Sequence, residues 1–413
     1  MTAAILIWRG TSSKRVKILV IVISLLATLS LVRMWADVLD LTSRGTISAA
    51  LGLAVPIGLA GLGGLWAERA GVVNIGLEGM MILGTFGAGW LGWQYGPWAG
   101  LAGALLFGLA GAAIFAVATI TFGVDQIISG TAMNILGLGF AQFFAQVAFS
   151  DAPGGGPTQS PSIEALPSFT WSFISDPLVD LHREGYFIVS EIAGFVSGVF
   201  FRLSILTVIA AGLFFASGYI LWRTPFGLRL RSVGENPHAA DSLGVNVYFY
   251  KYIAVLNSGM LAALGGAFLA IASSGVYREG QTGGRGFIGL ATMIFGNWRP
   301  GGTAAGAAVF GYIDALQLRD ANGTAMRAVV LLGALVLFVL AVLALRAKKY
   351  QTMFALGVIS AALISWFLVT TNLPKEIALV APYLATLLVL AFASQRLRPP
   401  AADGIPYRKG ESK

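Results

Sequence analysis

Residues 97–112 read PWAGLAGALLFGLAGA, and residues 300–315 read PGGTAAGAAVFGYIDA. At this offset of 203, seven of the sixteen positions are identical: Pro97/Pro300, Ala102/Ala305, Gly103/Gly306, Ala104/Ala307, Phe107/Phe310, Gly108/Gly311 and Ala112/Ala315. Just upstream, IGLEGMMILG (75–84) faces IGLATMIFG (288–296) with one gap. Chance matching in a Gly- and Ala-rich chain is the alternative to a true internal repeat. Two adjacent blocks aligned in the same order favour the repeat.

The composition says where such segments must lie. Of 413 residues, 56% are hydrophobic and only 11% charged, against about 25% charged in an ordinary soluble protein. Mean hydropathy is +0.78. A soluble domain cannot hide that much apolar surface, so most of the chain belongs in lipid. The absence of Cys excludes disulfides, thiolate metal sites and cysteine nucleophiles. The two histidines, His182 and His238, are too far apart in sequence to suggest a His-rich metal site. The net charge of +8 points to cytoplasmic loops rather than to nucleic acid.

Apolar segments long enough for spanning helices lie at 18–38, 46–66, 72–95, 98–120, 124–149, 196–222, 251–272, 302–318, 326–345, 352–371 and 376–394. The stretch 284–297 is shorter and Gly-rich, and reads as a half-helix or re-entrant piece. The first segment follows Arg9, Lys14, Arg15 and Lys17 as in a signal peptide, but Met34-Trp35-Ala36 is a poor cleavage site, so a retained helix is expected. Basic residues at the N-terminus, in 223–251, at Arg346, Lys348 and Lys349 and in the tail place those regions in the cytoplasm. The 150–195 loop has Arg183 as its only Lys or Arg and is placed outside. On that topology the two repeat copies run in opposite senses, an inverted-topology plan recurrent in transporters.

Several blocks, in order, resemble bacterial ABC permeases for nucleosides and simple sugars. They are Trp66-Ala67-Glu68-Arg69-Ala70-Gly71-Val72-Val73-Asn74-Ile75-Gly76-Leu77-Glu78-Gly79-Met80, Asp125 to Thr131, Gly155 to Pro161, Thr224-Pro225-Phe226-Gly227, Gly234 to Ala240, Gly284 to Ile288, Pro382-Tyr383 and Ile405-Pro406-Tyr407. The resemblance covers about 46–320 and 372–413 and departs at 324–371, which adds two apolar segments. It implies an all-α polytopic membrane protein of about ten to twelve helices, the import permease of the bacterial cell membrane. It further implies a second, homologous permease subunit, a cytoplasmic ATP-binding subunit and an extracytoplasmic substrate-binding lipoprotein as partners, with lipid around it. The chain has no GxxxxGK[ST] phosphate loop, so ATP is expected on the partner and no cofactor on this chain.

The organisation expected is a cytoplasmic N-terminus and first helix (1–45), a first repeat (46–149), the external loop (150–195), a second repeat (196–323) containing the 223–251 coupling loop, an inserted pair (324–371), and a last helix with a basic tail (372–413). In the coupling loop, Thr224-Pro225 ends a helix. Glu235 and Asn236 then lead into Pro237, with Asn236 as cap and Pro237 at the first helical position. Ala239 and Ala240 offer a small face, and Gly244 a stop. An ordinary basic loop is the bland alternative.

Glu78 stands well inside an apolar segment, where an acid costs about 2.5–3.5 kcal/mol on insertion scales. It either locks two helices or lines the substrate route. Asn74, Gln126, Ser129, Asn134, Asn257 and Ser258 are further polar groups in apolar segments, for inter-helix bonds or for a polar path. Phe287 and Phe86 offer rings for stacking on a base or sugar, or for packing. The aromatic Phe169-Thr170-Trp171-Ser172-Phe173 stretch outside meets either the membrane interface or the binding protein. An ion-coupled secondary transporter of a small polar solute is the rival; it calls for midplane acids in both repeats, but Ala291 or Thr292 stands opposite Glu78. An integral membrane enzyme would need a clustered catalytic set, and no such activity is expected.

Overall fold

The structure is a computed structural model; it describes residues 26–33, 39–319, 324–346, 348–370 and 397–410. The predicted last helix (376–394) and most of the first (18–38) lie outside these residues, as does Pro382-Tyr383. The helices are α1 (Arg44–Arg69), α2 (Leu77–Tyr95), α3 (Pro97–Ala116), α4 (Gln126–Phe149), α5 (Ser172–Arg183), α6 (Val189–Val199), α7 (Ile205–Arg223), α8 (Pro225–Glu235), α9 (Pro237–Ser242), α10 (Val247–Ala267), α11 (Arg285–Phe295), α12 (Pro300–Arg319), α13 (Thr324–Arg346) and α14 (Tyr350–Val369). The strands among the described residues are two residues long. Among the described residues, seven helices are long and apolar enough to cross a membrane, and the chain is an all-α polytopic membrane protein. Two compact units divide it.

The larger unit contains 51–168, 203–311 and the tail 397–410. Glycines set its helix spacing. A Cβ on Gly87 would sit 2.6 Å from the Gly103 carbonyl oxygen, and one on Gly108 2.6 Å from that of Gly259, so α2, α3 and α10 touch backbone to backbone. In lipid, where tails are as apolar as Leu, such close approach is what holds helices together. The pair α11 and α12 repeats the device at Gly296 and Gly302. Both α3 and α12 are 20 residues long and begin at the matched prolines, Pro97 and Pro300. Proline fits a first helical position because its missing N–H is one the helix leaves unpaired anyway.

The smaller unit holds the described parts of 1–50, 169–202 and 312–384. Within and just beyond the 150–195 segment, α5 and α6 fold against one another, with His182 and Glu191 buried. Glu191 accepts from Ser30 Oγ at 2.8 Å and pairs with Arg33 at 2.9 Å, so the N-terminal helical residues 26–33 close over α6. Trp171 stacks on Phe200 at 5.2 Å and on Phe173 at 6.3 Å. The α13–α14 pair is a helical hairpin: Ser360 Oγ donates to the Ala334 carbonyl (2.8 Å), and the Arg327 guanidinium lies 4.3 Å over the Phe367 ring.

Candidate functional site

The sequence predicts a helix over 72–95, and the structure begins it only after a non-helical stretch. Residues 70–76 are not helical, and α2 begins only at Leu77. Gly71 turns the chain at φ 74°, a conformation a side chain would strain. Asn74 Oδ1 then accepts from Gly76 N–H at 3.1 Å, a local bond that replaces the helical one. The segment climbs along α10: the Gly71 carbonyl accepts from Lys251 Nζ (3.3 Å), and Asn74 Nδ2 donates to Ser258 Oγ (3.0 Å). Those two α10 residues are separated by about 10 Å of helical rise.

Non-helical backbone at membrane depth must have its polar groups paired by protein. The predicted polar residues do this. Gln126 Oε1 accepts from Val73 N–H at 2.6 Å. Asn134 Oδ1 accepts from Gly79 N–H at 2.8 Å, and its Nδ2 donates to the Ile75 carbonyl at 3.1 Å. Gln126 is placed by the α4 N-terminus, where Asp125 accepts from the N–H groups of Ile127 and Ile128 at 2.9 Å each. Close packing at Gly137 and Gly79, where an added Cβ would meet backbone at 2.3–2.6 Å, brings α4 within reach.

Glu78 joins the two repeats. Its Oε1 accepts from Gly284 N–H (3.0 Å) and its Oε2 from Gly286 N–H (2.6 Å), so a carboxyl group from the first copy caps α11 of the second. The N-terminus of a helix carries unpaired donors and partial positive charge, and favours this partner. From this point the two helices run to opposite ends of the unit. Gly89 of α2 packs on Tyr277 in the 275–284 loop, whereas beyond α11 Trp298 Nε1 donates to Glu68 at the end of α1. The half-helix expected at 284–297 is α11, only 11 residues long.

The remaining predicted residues fall elsewhere. Ser129 and Asn257 are half-buried, and Phe287 is exposed on the first turn of α11. Phe86 is buried in an aromatic cluster with Phe107, Phe140, Phe149 and Tyr277, at ring distances of 5.4–6.0 Å. Lys251, counted in the sequence as a loop charge, is buried in α10. No pattern in the sequence distinguishes it from its basic neighbours.

The 223–251 segment holds two helices where the sequence predicts one. Thr224 Oγ1 accepts from Gly227 N–H (3.2 Å) and caps α8; Asn236 Oδ1 accepts from Ala239 N–H (3.0 Å) and caps α9, with buried Pro237 at its first position. Gly244, at φ 80°, ends the turn. Glu235, Asn236 and Ala239 are exposed. Ala240 is not on that exposed face: it is only 3% exposed and packs into the core, while His238, Ser242 and Leu243 point outward with Ala239. The tail is strapped beneath. Ala402 N–H donates to the Gly234 carbonyl (2.9 Å), Ala401 N–H to Glu235 (3.2 Å), and Tyr407 packs 5.1 Å from His238. Burial pushes the Asp403 carboxyl up to about 6, while its bond to Glu68 and the charges of Lys251 and Arg69 act the other way.

Residues 46–324 match the family described as the branched-chain amino acid transport system, permease component. The chain is 32% identical to the guanosine ABC transporter permease protein NupQ of Bacillus subtilis, over 88% of this chain and 97% of that one. It is 30% identical to the nucleoside ABC transporter permease protein NupC of Lactococcus lactis, over 86% and 94%. It is also 34% identical to the putative glucose ABC transporter permease protein TsgC13 of Haloferax volcanii, over 67% and 78%. No solved structure matches. A family match over most of its length, with relatives similar over most of theirs and seven helices among the described residues able to cross a membrane, makes this chain a member of the branched-chain amino acid transport system permease family and a multi-pass protein of the cell membrane.

Proposed function

We propose that the chain is the permease subunit of an ATP-driven ABC importer, moving nucleosides or related sugars into the cell. The observation that carries this reading is the broken helix at 70–76, fixed by Gln126, Asn134 and Ser258 and tied to α11 through Glu78. Two half-elements meeting inside a membrane core form a hinge on which alternating access can turn. Glu78 already has both oxygens engaged by backbone donors, which leaves it poorly suited to the cation cycle that an ion-coupled transporter requires.

ATP-binding and substrate-binding components go with such a permease. The ATPase docks on the exposed face of α9, formed by Ala239, Ser242 and Leu243. Closure of the ATPase pushes α9, and with it α8 and the first turn of α10. Lys251 begins the next turn of α10 and holds Gly71, so the push reaches the broken helix. The external lipoprotein delivers the solute from the 150–195 side, where Trp171 and Phe173 are exposed. A second, homologous permease completes the path. Support for nucleosides comes from the relatives, two of which are named for guanosine or nucleosides.

The test is uptake of labelled guanosine, adenosine, ribose and glucose in cells with and without the gene. The proposal expects nucleoside uptake to require the chain, with unlabelled nucleosides competing at lower concentration than ribose. Unchanged uptake of all four on deletion would refute it.

A further inference from the structure

On one side of the larger unit, α1, α7 and the first half of α12 stand apart around a cleft of about 870 Å³. That volume lies within the range of about 300–1,000 Å³ typical of small-molecule sites. Its wall is made of small and apolar side chains, among them Val55, Gly58, Ala210, Phe214, Ala304 and Ala307. Apart from two arginines, its side chains with polar atoms are Thr207, Tyr219 and Trp222. A nucleoside or sugar buried there would lose hydrogen bonds to water without replacing them, so the cleft suits an alkyl chain.

The two arginines stand together at one end. Arg223 is the last residue of α7 and Arg299 immediately precedes α12; both line the cleft and both are exposed. Neither makes an ion pair among the described residues. Two further arginines reinforce the positive charge. The guanidinium groups of Arg69 and Arg231 lie 5.5 and 5.6 Å from the Trp222 ring, which also lines the cleft. Those two are already committed, Arg69 to the Trp298 carbonyl (2.8 and 3.0 Å) and Arg231 to that of Leu221 (2.9 Å). The acids nearby are engaged too: Glu68 takes the Trp298 indole N–H and Glu235 the Ala401 N–H. Arg223 and Arg299 are thus left to face an external anion.

We infer that this cleft binds an anionic phospholipid, with its phosphate between Arg223 and Arg299 and an acyl chain along the α1–α7–α12 wall. Guanidinium groups match phosphate oxygens in charge and in fork geometry. The arginines stand at the 223–251 end, cytoplasmic by loop charge, and the cytoplasmic leaflet is where anionic headgroups attract basic residues. A second copy of the chain is a poorer occupant, because an isologous contact here would bring like charges together. The inference rests on the chain spanning a membrane and not on its solute or energy source.

Native mass spectrometry of the purified full chain tests it, with phosphatidylglycerol and phosphatidylcholine of identical acyl chains. The wild type should retain phosphatidylglycerol several-fold better. Arg223→Gln/Arg299→Gln should erase that preference with unchanged helix content by circular dichroism. Ala304→Trp, which fills the wall, should lower retention of both lipids. Water-soluble glycerol phosphate should not bind measurably. Equal retention of the two lipids by the wild type, or an undiminished preference in the double variant, overturns the inference. So does glycerol phosphate binding as tightly as the lipid, which would mean a phosphate site alone. Loss of a contact between two permease copies in Ala304→Trp, with lipid retention unchanged, would reassign the cleft as a subunit interface and equally overturn it.

Discussion

At Glu78 the sequence leaves a choice between lock and pathway; in the structure both carboxylate oxygens accept backbone N–H groups at the start of α11, as a lock would. A carboxyl group can accept two backbone N–H groups at once; an amide has one oxygen and turns N–H against N–H at the other position. Glu78→Gln therefore leaves one buried donor unpaired, and Glu78→Ala leaves two. At about 1–3 kcal/mol for each orphaned buried group, both should unfold at lower temperature in detergent, Ala more than Gln. Wild-type thermal stability in both variants would show that the cap is dispensable. The polar residues were legible as a set, because uncharged polar groups in apolar segments stand out. Their use was not. Nothing in the spacing of Gln126 and Asn134 reveals that they serve the backbone of 73–79, since that depends on how closely Gly79 and Gly137 let two helices approach.

At the scale of elements, α9 was readable from its cap, its proline and its glycine stop, while the face it exposes was not. A six-residue helix has too few residues for a periodic apolar signal. Ala240 is buried and Leu243 is 85% exposed, so the two should behave oppositely on mutation. Leu243→Glu should leave abundance and melting temperature unchanged while abolishing co-purification of the ATPase and uptake. Ala240→Glu should reduce abundance, because it buries a charge without a partner. Retained ATPase in Leu243→Glu would move the docking face elsewhere. The break at Gly71–Gly76 was missed for a related reason: hydropathy runs smoothly through Val72, Val73 and Ile75, and a local Asn–Gly bond leaves no trace in it.

The tail strap adds a pH dependence at this same scale. The docked Asp403 holds its proton up to about 6, against an ordinary value of 3.8. The groups facing it are Glu68 and Arg69 on α1 and Lys251 on α10. A raised carboxyl pKa means that the docked state binds the proton more tightly than the undocked one. Docking is therefore strongest below about pH 4 and weakens as pH rises through about 6. Protease cleavage within 397–410 should be slower at pH 5 than at pH 7.5, and Asp403→Asn should narrow that difference. Equal cleavage of the wild type at the two pH values would contradict this.

For the whole molecule, the repeat seen between residues 97–112 and 300–315 corresponds to two glycine-packed helix pairs whose leading helices diverge from one point. The sequence could not show that point, because Glu78 and Gly284 are 206 residues apart and are not matched to one another in the alignment of the copies. The family match ends at residue 324, where the α13–α14 hairpin begins. Topology is directly testable because the chain has no Cys. Single cysteines at exposed Ser162 and Ser242 should label from opposite sides of the membrane, and labelling of both from one side would contradict the assigned orientation.

The central claim is that energy reaches the broken helix from an ATPase docked on α9 and not from an ion gradient. Proteoliposomes containing the permeases, the ATPase and the binding protein measure this directly, through labelled nucleoside uptake with ATP supplied on the ATPase side. Uptake should require hydrolysable ATP, persist when ionophores collapse proton and sodium gradients, and disappear with Leu243→Glu. Uptake that proceeds without ATP and stops with the ionophores would contradict the account.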